Sequence, residues 1–351
     1  MAMYYRFLAV LFGVALFLGA CASAPTPEPE IESEPPLWAL DTRAVYPDRE
    51  YIAARGEGTT KVGAEAGAVA EISFYFVRQV TAERSSRSSW TTRNNEETTA
   101  SQTEENVLVE SQTRLVTVRL AEDPWFNPAK KVWETVAYIN RDEGWTVYEP
   151  NAKKQAAALM ALVQAAETES EPFNAVLRWG ITAAYADSAE FNGVRDFSQI
   201  LHPEKAAALF APADAALGEL FEKQLAAVEK SRVYVECPVD YNGMIYQAMV
   251  KALGGWGFGV ERSREAAAAV CEVQVEEGIQ KQDSGTFYYP ALTATISGGR
   301  GAIFSFKITG GREGGLNPDV AKRRAYTALA AALEKDFAGE LQKRQTALAG
   351  E

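Results

Sequence analysis

The chain has 351 residues, of which 35 are Lys or Arg and 47 are Asp or Glu, so its formal net charge is -12. This excess of acid argues against nucleic-acid binding, which needs a basic face for the phosphates, and disfavours lying flat on anionic lipid. The length suggests two domains, and a hydrophobic content of 47% is ample for packed cores.

A short apolar run at the start of the chain ends in the four residues Leu18–Cys21. Arg6 is the only charge before Cys21, and the run is shorter than the roughly 18–20 apolar residues of a membrane-spanning helix. The pattern predicts a signal peptide over residues 1–20. The small residues before the cysteine resemble the bacterial lipobox. The resemblance implies that Cys21 is lipidated, with diacylglyceryl on its sulfur and an acyl chain such as palmitate on its amino group.

The stretch Ala22–Pro36 contains five prolines and four glutamates, with no Lys or Arg. Proline stiffens the chain and like charges extend it, so this stretch cannot form a core. Residues 21–36 are therefore predicted to be the lipidated cysteine and a disordered tether. At about 3.1 Å per residue the tether reaches at most roughly 45 Å.

The first folded domain is predicted over residues 37–150. A short strand at Tyr51–Ala54 is followed by the glycine-rich turn Gly56–Gly58, and a helix then runs from about Lys61 to Gln79. The turn lacks the Lys-Ser/Thr pair of a phosphate-binding loop, because Ala64-Glu65 stands in its place. Three- and four-residue spacing predicts the buried face of the helix as Ala66, Val69, Ala70, Ser73 and Val77.

Three further strands are predicted at Val80–Trp90, Asn106–Leu120 and Val132–Asn140. The polar stretch Thr91–Glu105 between the first two is expected to be a flexible loop. Trp125 and Phe126 are predicted to lie in another loop. They could contact a partner or a glycan, but such aromatic residues more often plug the end of their own core.

Several short patterns in this region resemble the lipoprotein-twenty family, and the same module is similar to the N-terminal domain of the flagellar assembly protein T. The resemblance covers roughly residues 36–150 and implies a small α+β envelope domain without enzyme activity or catalytic residues. The polar insert after Trp90 departs from it. The residues that carry the resemblance are Pro36–Trp38, Tyr46–Asp48, Tyr51–Gly58, the alanines Ala64, Ala66, Ala68 and Ala70, Ala137–Arg141 and Tyr148.

Residues 151–230 are predicted to be a helical segment, because alanine-rich stretches there carry apolar residues at helical spacing. Pro172, Pro203 and Pro212 are expected to separate the helices. His202 is the only histidine of the chain. It has no accompanying nucleophile, so a polar turn residue is favoured over a general base.

The last domain is predicted over residues 231–345 as an α/β sandwich-like fold. Asp240 is expected to cap a helix that ends at Gly254-Gly255, and Gly298–Gly301 is expected to join two strands as a hairpin turn. Asn317-Pro318 opens a final helix. Its inward stripe is predicted to be Ala325, Leu329, Leu333, Phe337 and Leu341.

This order of elements resembles, more weakly, the small α/β domains of curli-export lipoproteins, penicillin-binding-protein activator lipoproteins and the Tol translocation protein B. Cys237 and Cys271 are predicted on two strands whose alternate residues face one core. Export would permit a disulfide between them, but neighbouring strands often lack the required geometry, so free buried thiols are expected.

The fold class is therefore predicted to be α+β, with two small α+β domains joined by a helical segment. No catalytic, cofactor-binding or metal site is predicted, and no small-molecule substrate is identified. The favoured function is a structural or interaction lipoprotein on the periplasmic face of the outer membrane, with flagellar or outer-membrane assembly as its theme. Its expected partners are membrane lipid, through Cys21, and other envelope proteins. The alternative is a periplasm-spanning activator of a cell-wall enzyme; a hydrolase ranks below both.

Overall fold

The computed structural model describes residues 34–88 and 117–350, without the side chains of 83–88. These residues fall into two compact units. Unit 1 holds the described residues up to Val77 and those from 117 to Arg141, and unit 2 holds residues 78–88 and those from Asp142 onward. Both contain helices and sheet, which confirms the α+β class. Cys21, most of the tether and the stretch 91–105 lie outside the described residues.

Unit 1 is a small antiparallel sheet with a helix packed on it. In sheet order β1 pairs with β4, and β4 also pairs with β2 and β3. The β1–β4 ladder is regular from Tyr51 opposite Asn140 to Gly58 opposite Trp133. The elements are α1 (Leu37–Leu40), α2 (Thr42–Val45), β1 (Tyr51–Gly58), α3 (Lys61–Ser88), β2 (Arg119–Leu120), β3 (Trp125–Asn127) and β4 (Val132–Asn140).

Glycines in β1 let the backbone of α3 lie directly on the strand. A Cβ atom at Gly56 would stand 2.0 Å from the Ala68 nitrogen and 2.3 Å from the Ala64 oxygen. At Gly58 it would stand 2.5 Å from the Ala64 nitrogen. Such close approach is a regular use of glycine in a strand. The predicted turn at Gly56–Gly58 is therefore wrong, because both glycines belong to β1 and serve packing.

The buried face of α3 agrees with the prediction only in part, since Ser73 is buried and Val69 and Val77 are half-buried. Ala66 and Ala70 are exposed. Because α3 contacts Gly56 through Ala64 and Ala68, the stripe that contains these two alanines faces inward. Within unit 1 this stripe consists of Ala64, Ala68, Ile72 and Phe76, each 0% exposed.

Two strand predictions between residues 80 and 120 need correction. The segment predicted as the strand Val80–Trp90 continues α3 as far as Ser88, the last described residue before the gap. Of the strand predicted at Asn106–Leu120, residues 106–116 lie outside the described range, and β2 contains only Arg119 and Leu120. The strand Val132–Asn140 is confirmed residue for residue.

The aromatic residues of the predicted loop lie in β3. Trp125 packs against the small cluster of Trp38, Ala121 and Val136, while the Phe126 ring meets the Trp133 ring edge-on with centroids 5.4 Å apart. Both side chains are half-buried within unit 1, which agrees with the interpretation that they cover the end of their own core.

From α4 onward, unit 2 has four consecutive helices followed by a six-stranded sheet. Helix α4 starts at Arg141 and not after residue 150. Pro150 and Pro212 lie inside helices, so the prediction that Pro212 separates two helices is wrong. The helices are α4 (Arg141–Thr168), α5 (Pro172–Ala186), α6 (Ala189–Leu201) and α7 (Pro203–Lys230).

The sheet of unit 2 has the order β10-β8-β7-β5-β6, with β9 also paired to β8. β5 is parallel to both β6 and β7, and the other pairs are antiparallel. The predicted hairpin turn at Gly298–Gly301 joins β8 to β9. The elements are β5 (Val233–Glu236), α8 (Met244–Gly255), β6 (Val260–Glu261), β7 (Ala269–Gln282), β8 (Gly285–Gly298), β9 (Gly301–Thr309), β10 (Glu313–Gly315) and α9 (Pro318–Gly350).

Helices α8, α9 and part of α5 cover one face of this sheet and form the main core with it. The inward stripe predicted for α9 is confirmed, since all five of its residues are 0% exposed. Among them, Phe337 contacts the Phe306 ring of β9 with centroids 5.4 Å apart.

Hydrogen bonds attach the C-terminal end of α9 to α5. The Arg178 guanidinium donates to the Leu348 carbonyl at 3.0 Å, and Arg344 donates to the Asn174 Oδ1 at 3.3 Å. Gln345 donates to the Leu177 carbonyl at 3.5 Å. These contacts join parts of unit 2 that are about 170 residues apart in sequence.

Candidate functional site

Cys21, the predicted lipidation site, lies outside the described residues. Within residues 34–88 and 117–350, no group of three or more His, Cys, Asp or Glu side chains could hold a metal ion. No helix in the same ranges is long and apolar enough to cross a membrane.

A group of polar and aromatic side chains gathers beyond the carboxyl end of the parallel strand β5. After Glu236 the chain passes through the loop 237–243 into α8. Asn242 and Gly243 have φ values of 54° and 74°, and the Met244 N–H donates to the Tyr241 carbonyl at 3.2 Å. Positive φ at both central residues makes this a type I′ turn, for which Asn-Gly is the preferred sequence.

Asp240 fixes the start of α8, as predicted. Its Oδ1 accepts from the Ile245 N–H and its Oδ2 from the Tyr246 N–H, both at 3.0 Å. The carboxylate thus satisfies two amide groups that the first turn of a helix leaves unpaired. These two hydrogen bonds fix the loop 237–243 to the start of α8.

We call Tyr241, Glu277, Tyr288, Lys322 and Tyr326 the carboxyl-end cluster. Glu277 Oε1 accepts from the Tyr326 hydroxyl at 2.6 Å and lies 2.8 Å from Lys322 Nζ. The ammonium group also lies 5.8 Å from the Tyr241 ring centre and 5.7 Å from that of Tyr326. The cluster joins β7, β8 and α9 to the loop after β5.

The pKa shifts in this cluster follow from its contacts. Burial raises the pKa of Glu277, but the hydrogen bonds from Lys322 and Tyr326 outweigh burial and hold its pKa below the ordinary value. The same carboxylate raises the pKa of Lys322. Burial, followed by the bond to Glu277, raises the pKa of Tyr326. The ion pair is therefore formed at neutral pH.

This ion pair predicts an acid-dependent loss of stability. Because folding lowers the pKa of Glu277, the contribution is present above its unfolded pKa and is lost as pH falls through the folded value. We expect Glu277→Gln to cost about 1–3 kcal/mol at pH 7, and the cost to shrink below pH of about 4. Denaturant unfolding of both proteins from pH 7 to pH 3 measures this. A cost independent of pH would contradict the assignment, and the exposed Glu219→Gln is the control.

A second candidate is a cleft of about 360 Å³ between the end of α4, the start of α5 and the end of α7. Its walls are apolar around Trp179, and its rim carries Lys223, 3.1 Å from Glu167, together with Lys230. Beside it Glu169 lies 2.9 Å from Arg178. Burial raises the pKa of Glu169, but the Glu171 N–H and Arg178 outweigh it and lower that pKa. These ion pairs fix the positions of the helix ends that surround the cleft.

His202 lies at the junction of α6 and α7, as predicted. Its Nε2 is 3.3 Å from Asp142 Oδ1, and its ring meets the Trp145 ring with centroids 5.9 Å apart. Lys205 binds the same carboxylate and lowers the pKa of Asp142, with His202 contributing less. His202 thus helps to join the start of α4 to the start of α7.

The two cysteines have free thiols, as predicted, although only Cys271 is fully buried and Cys237 is half-buried. Val235 stands opposite Cys271 in the β5–β7 ladder, so Cys237 lies two residues farther along. That offset puts the Cα atoms roughly 8 Å apart, beyond the reach of a disulfide. Burial raises the pKa of both thiols to about 12, so neither is a nucleophile at neutral pH.

A group of charged side chains in unit 1 joins β1 to β4. Glu57 and Glu134 stand opposite each other on β1 and β4, and Lys130 contacts both, at 3.1 Å from Glu134. Asn127 also donates to Glu134 at 2.8 Å. Since Glu134 is only 3% exposed, the lysine offsets two facing carboxylates within the fold.

The sequence matches no protein-family model and no curated protein. Among solved structures, a minor lipoprotein from Acinetobacter baumannii is 12% identical over 35% of this chain and 94% of its own, with a TM-score of 0.23. A secreted protein from Helicobacter pylori is 14% identical over 83% of this chain and 97% of its own, with a TM-score of 0.35. At these TM-scores neither likeness supports an argument about fold or function.

Proposed function

We propose that the protein is a lipid-anchored lipoprotein of the bacterial cell envelope with a structural or interaction role. The single observation that carries the proposal is the motif Leu18–Cys21 followed at once by the stretch Ala22–Pro36. An acylated cysteine followed by an extended acidic segment anchors a protein to a membrane while it holds the folded units away from the surface.

The folded units support a binding role over a catalytic one. The ionisable groups at their best-formed clusters are used in ion pairs that join elements, such as Glu277 with Lys322 and Glu169 with Arg178. Catalysis needs groups that are free to reach a substrate, with an acid, base or nucleophile in hydrogen-bond range of one another. The thiols of Cys237 and Cys271 both have raised pKa values, which also argues against a cysteine nucleophile.

The finer location in this proposal is the periplasmic face of the outer membrane. Its support is Ala22, because an aspartate after the lipidated cysteine favours inner-membrane retention in some bacteria. Other envelope proteins are the proposed partners, in flagellar or outer-membrane assembly. Cross-linking in intact cells followed by purification tests this. Recovery of peptidoglycan synthases would favour an activator of a cell-wall enzyme instead.

The anchor itself is tested by Cys21→Ser. Serine lacks the thiol that receives the lipid, so we expect complete loss of fatty-acid labelling and of the protein from the membrane fraction. Cys237→Ser is the matched control, since it removes a thiol from a folded unit and should stay labelled and membrane-bound. Labelling of the Cys21→Ser protein would disprove the anchor. Labelled protein in the inner-membrane fraction would disprove only the finer location.

A further inference from the structure

The carboxyl-end cluster occupies the position where sheets with parallel strands bind ligands. Such sites lie outside the carboxyl ends of the strands, beside the helices that follow them. Here β5 is parallel to both of its neighbours, and the loop 237–243 leads from its end into α8. Glu277 stands on the continuation of β7 toward the same edge. The location therefore favours binding before any side chain is considered.

Several hydrogen-bonding atoms of the cluster bond no described residue. An ion pair that served only to join elements would not need these additional atoms. Both bonds to Glu277 use Oε1, so Oε2 has no hydrogen bond within the described part of the chain, and the side chain is 22% exposed. The Lys322 ammonium carries three donors and bonds only Glu277 among described residues. Similarly, the Tyr241 and Tyr288 hydroxyls bond no described residue, and both rings are half-buried.

Apolar groups adjoin these polar ones. Ile279 is directly opposite Tyr288 in the β7–β8 ladder and is 47% exposed. In the loop after β5, Val239 is 45% exposed. The aromatic faces of Tyr241 and Tyr288 add to this apolar surface. A ligand at the cluster would therefore meet rings and aliphatic groups beside donors and acceptors.

The charge of the cluster limits the class of ligand. Glu277 and Lys322 neutralise each other, while Asp240 in the adjoining loop and Glu313, directly opposite Tyr288 in the β8–β10 ladder, add negative charge to a chain that is already at -12. An anionic ligand is therefore disfavoured. A neutral molecule with many hydroxyl groups fits better, because each hydroxyl can donate to Glu277 and accept from Lys322 or tyrosine.

We propose that the carboxyl-end cluster binds a neutral carbohydrate. The apolar C–H face of a sugar ring packs on Tyr241 and Tyr288, while its hydroxyls bond Glu277 Oε2 and Lys322. This combination of an apolar floor with a few convergent polar groups is typical of small-molecule sites. The proposal concerns unit 2 alone and does not depend on the lipid anchor.

The strand β8 provides a matched pair of variants for the test. Tyr288 and Tyr289 are neighbours, so their side chains point to opposite faces of the sheet. Tyr288 lies opposite Ile279, on the face of the β7–β8 ladder that carries Glu277, whereas the Tyr289 ring covers Gly278 on the other face, where a Cβ would stand 2.1 Å from it. Tyr289→Ala is therefore the control for Tyr288→Ala. Tyr241→Phe and Tyr288→Phe remove only the hydroxyls and guard against loss of folding.

The experiment is calorimetric titration of the full chain with chitotriose and with maltotriose, in a detergent without a sugar headgroup. We expect saturable binding of at least one sugar, weakened at least 10-fold by Tyr288→Ala and at least 3-fold by each Tyr→Phe variant. Tyr289→Ala should bind like the unaltered protein. Absence of heat with both sugars up to about 10 mM would overturn the proposal, as would equal weakening by Tyr289→Ala.

Discussion

Replacing Gly56 with alanine is expected to unfold unit 1. The new methyl group would stand 2.0 Å from the Ala68 nitrogen and 2.3 Å from the Ala64 oxygen, both of them backbone atoms of α3. The whole helix must move to admit it. That movement separates Ile72 and Phe76, which are 0% exposed, from their neighbours in the core. The expected cost is at the upper end of overpacking effects, above about 3 kcal/mol.

Amide hydrogen exchange of β1 and β4 measures this effect directly, because it reports on unit 1 without interference from unit 2. The control is Gly218→Ala in α7, where an added Cβ has no atom within 4 Å. There the same change should stabilise unit 2 by about 0.5–1 kcal/mol, since alanine favours the helix. Unchanged protection of β1 in the Gly56→Ala protein would show that α3 does not pack on the glycine.

Truncation of Phe337 is expected to have the largest effect in unit 2. Its ring is 0% exposed on the inward stripe of α9 and meets Phe306 across the core. Phe337→Ala removes a buried ring and leaves a cavity, for which the typical cost is about 3–5 kcal/mol. Thermal unfolding monitored by calorimetry should show a large drop in the melting temperature of unit 2.

The matched control is Phe221→Ala. Phe221 also lies in a long helix but is 74% exposed, so its truncation should change stability by less than about 0.5 kcal/mol. Similar costs for the two variants would contradict the burial of the α9 stripe.

The spacing of apolar residues predicted the buried face of a helix correctly where those residues are large. The stripe of α9 places Leu or Phe at every fourth position from Leu329 to Leu341, and all five predicted positions are buried. In α3 the first turns are mostly alanine and glycine, which give little contrast between faces. The burial there depends on Gly56 of another element, so the helix sequence by itself could not identify it.

Local composition misled the predictions at two other places. Residues 80–88 are polar with several serines, which favours strand or loop, yet the preceding turns propagate the helix to Ser88. Pro212 was expected to end a helix. It is exposed, so water can bond the carbonyl that proline leaves unpaired, and the helix continues past it.

The carboxyl-end cluster was not predicted, and only the helix cap beside it was. Asp240 was identified as a helix cap because caps are local in sequence. The partners of Glu277 lie 45 or more residues away on α9, and no local pattern connects them. One signal was present: Lys322 and Tyr326 are four residues apart on the helix, so they share a face.

The contacts between α5 and residues 344–348 have a consequence for the order of folding. A ribosome makes Asn174 and Arg178 about 170 residues before it makes their partners. Until those partners arrive, α5 lacks part of its packing, and α9 has not yet covered the sheet. Contacts so distant in sequence form slowly and late. Unit 2 therefore completes its fold only after residues 344–348 have been synthesised.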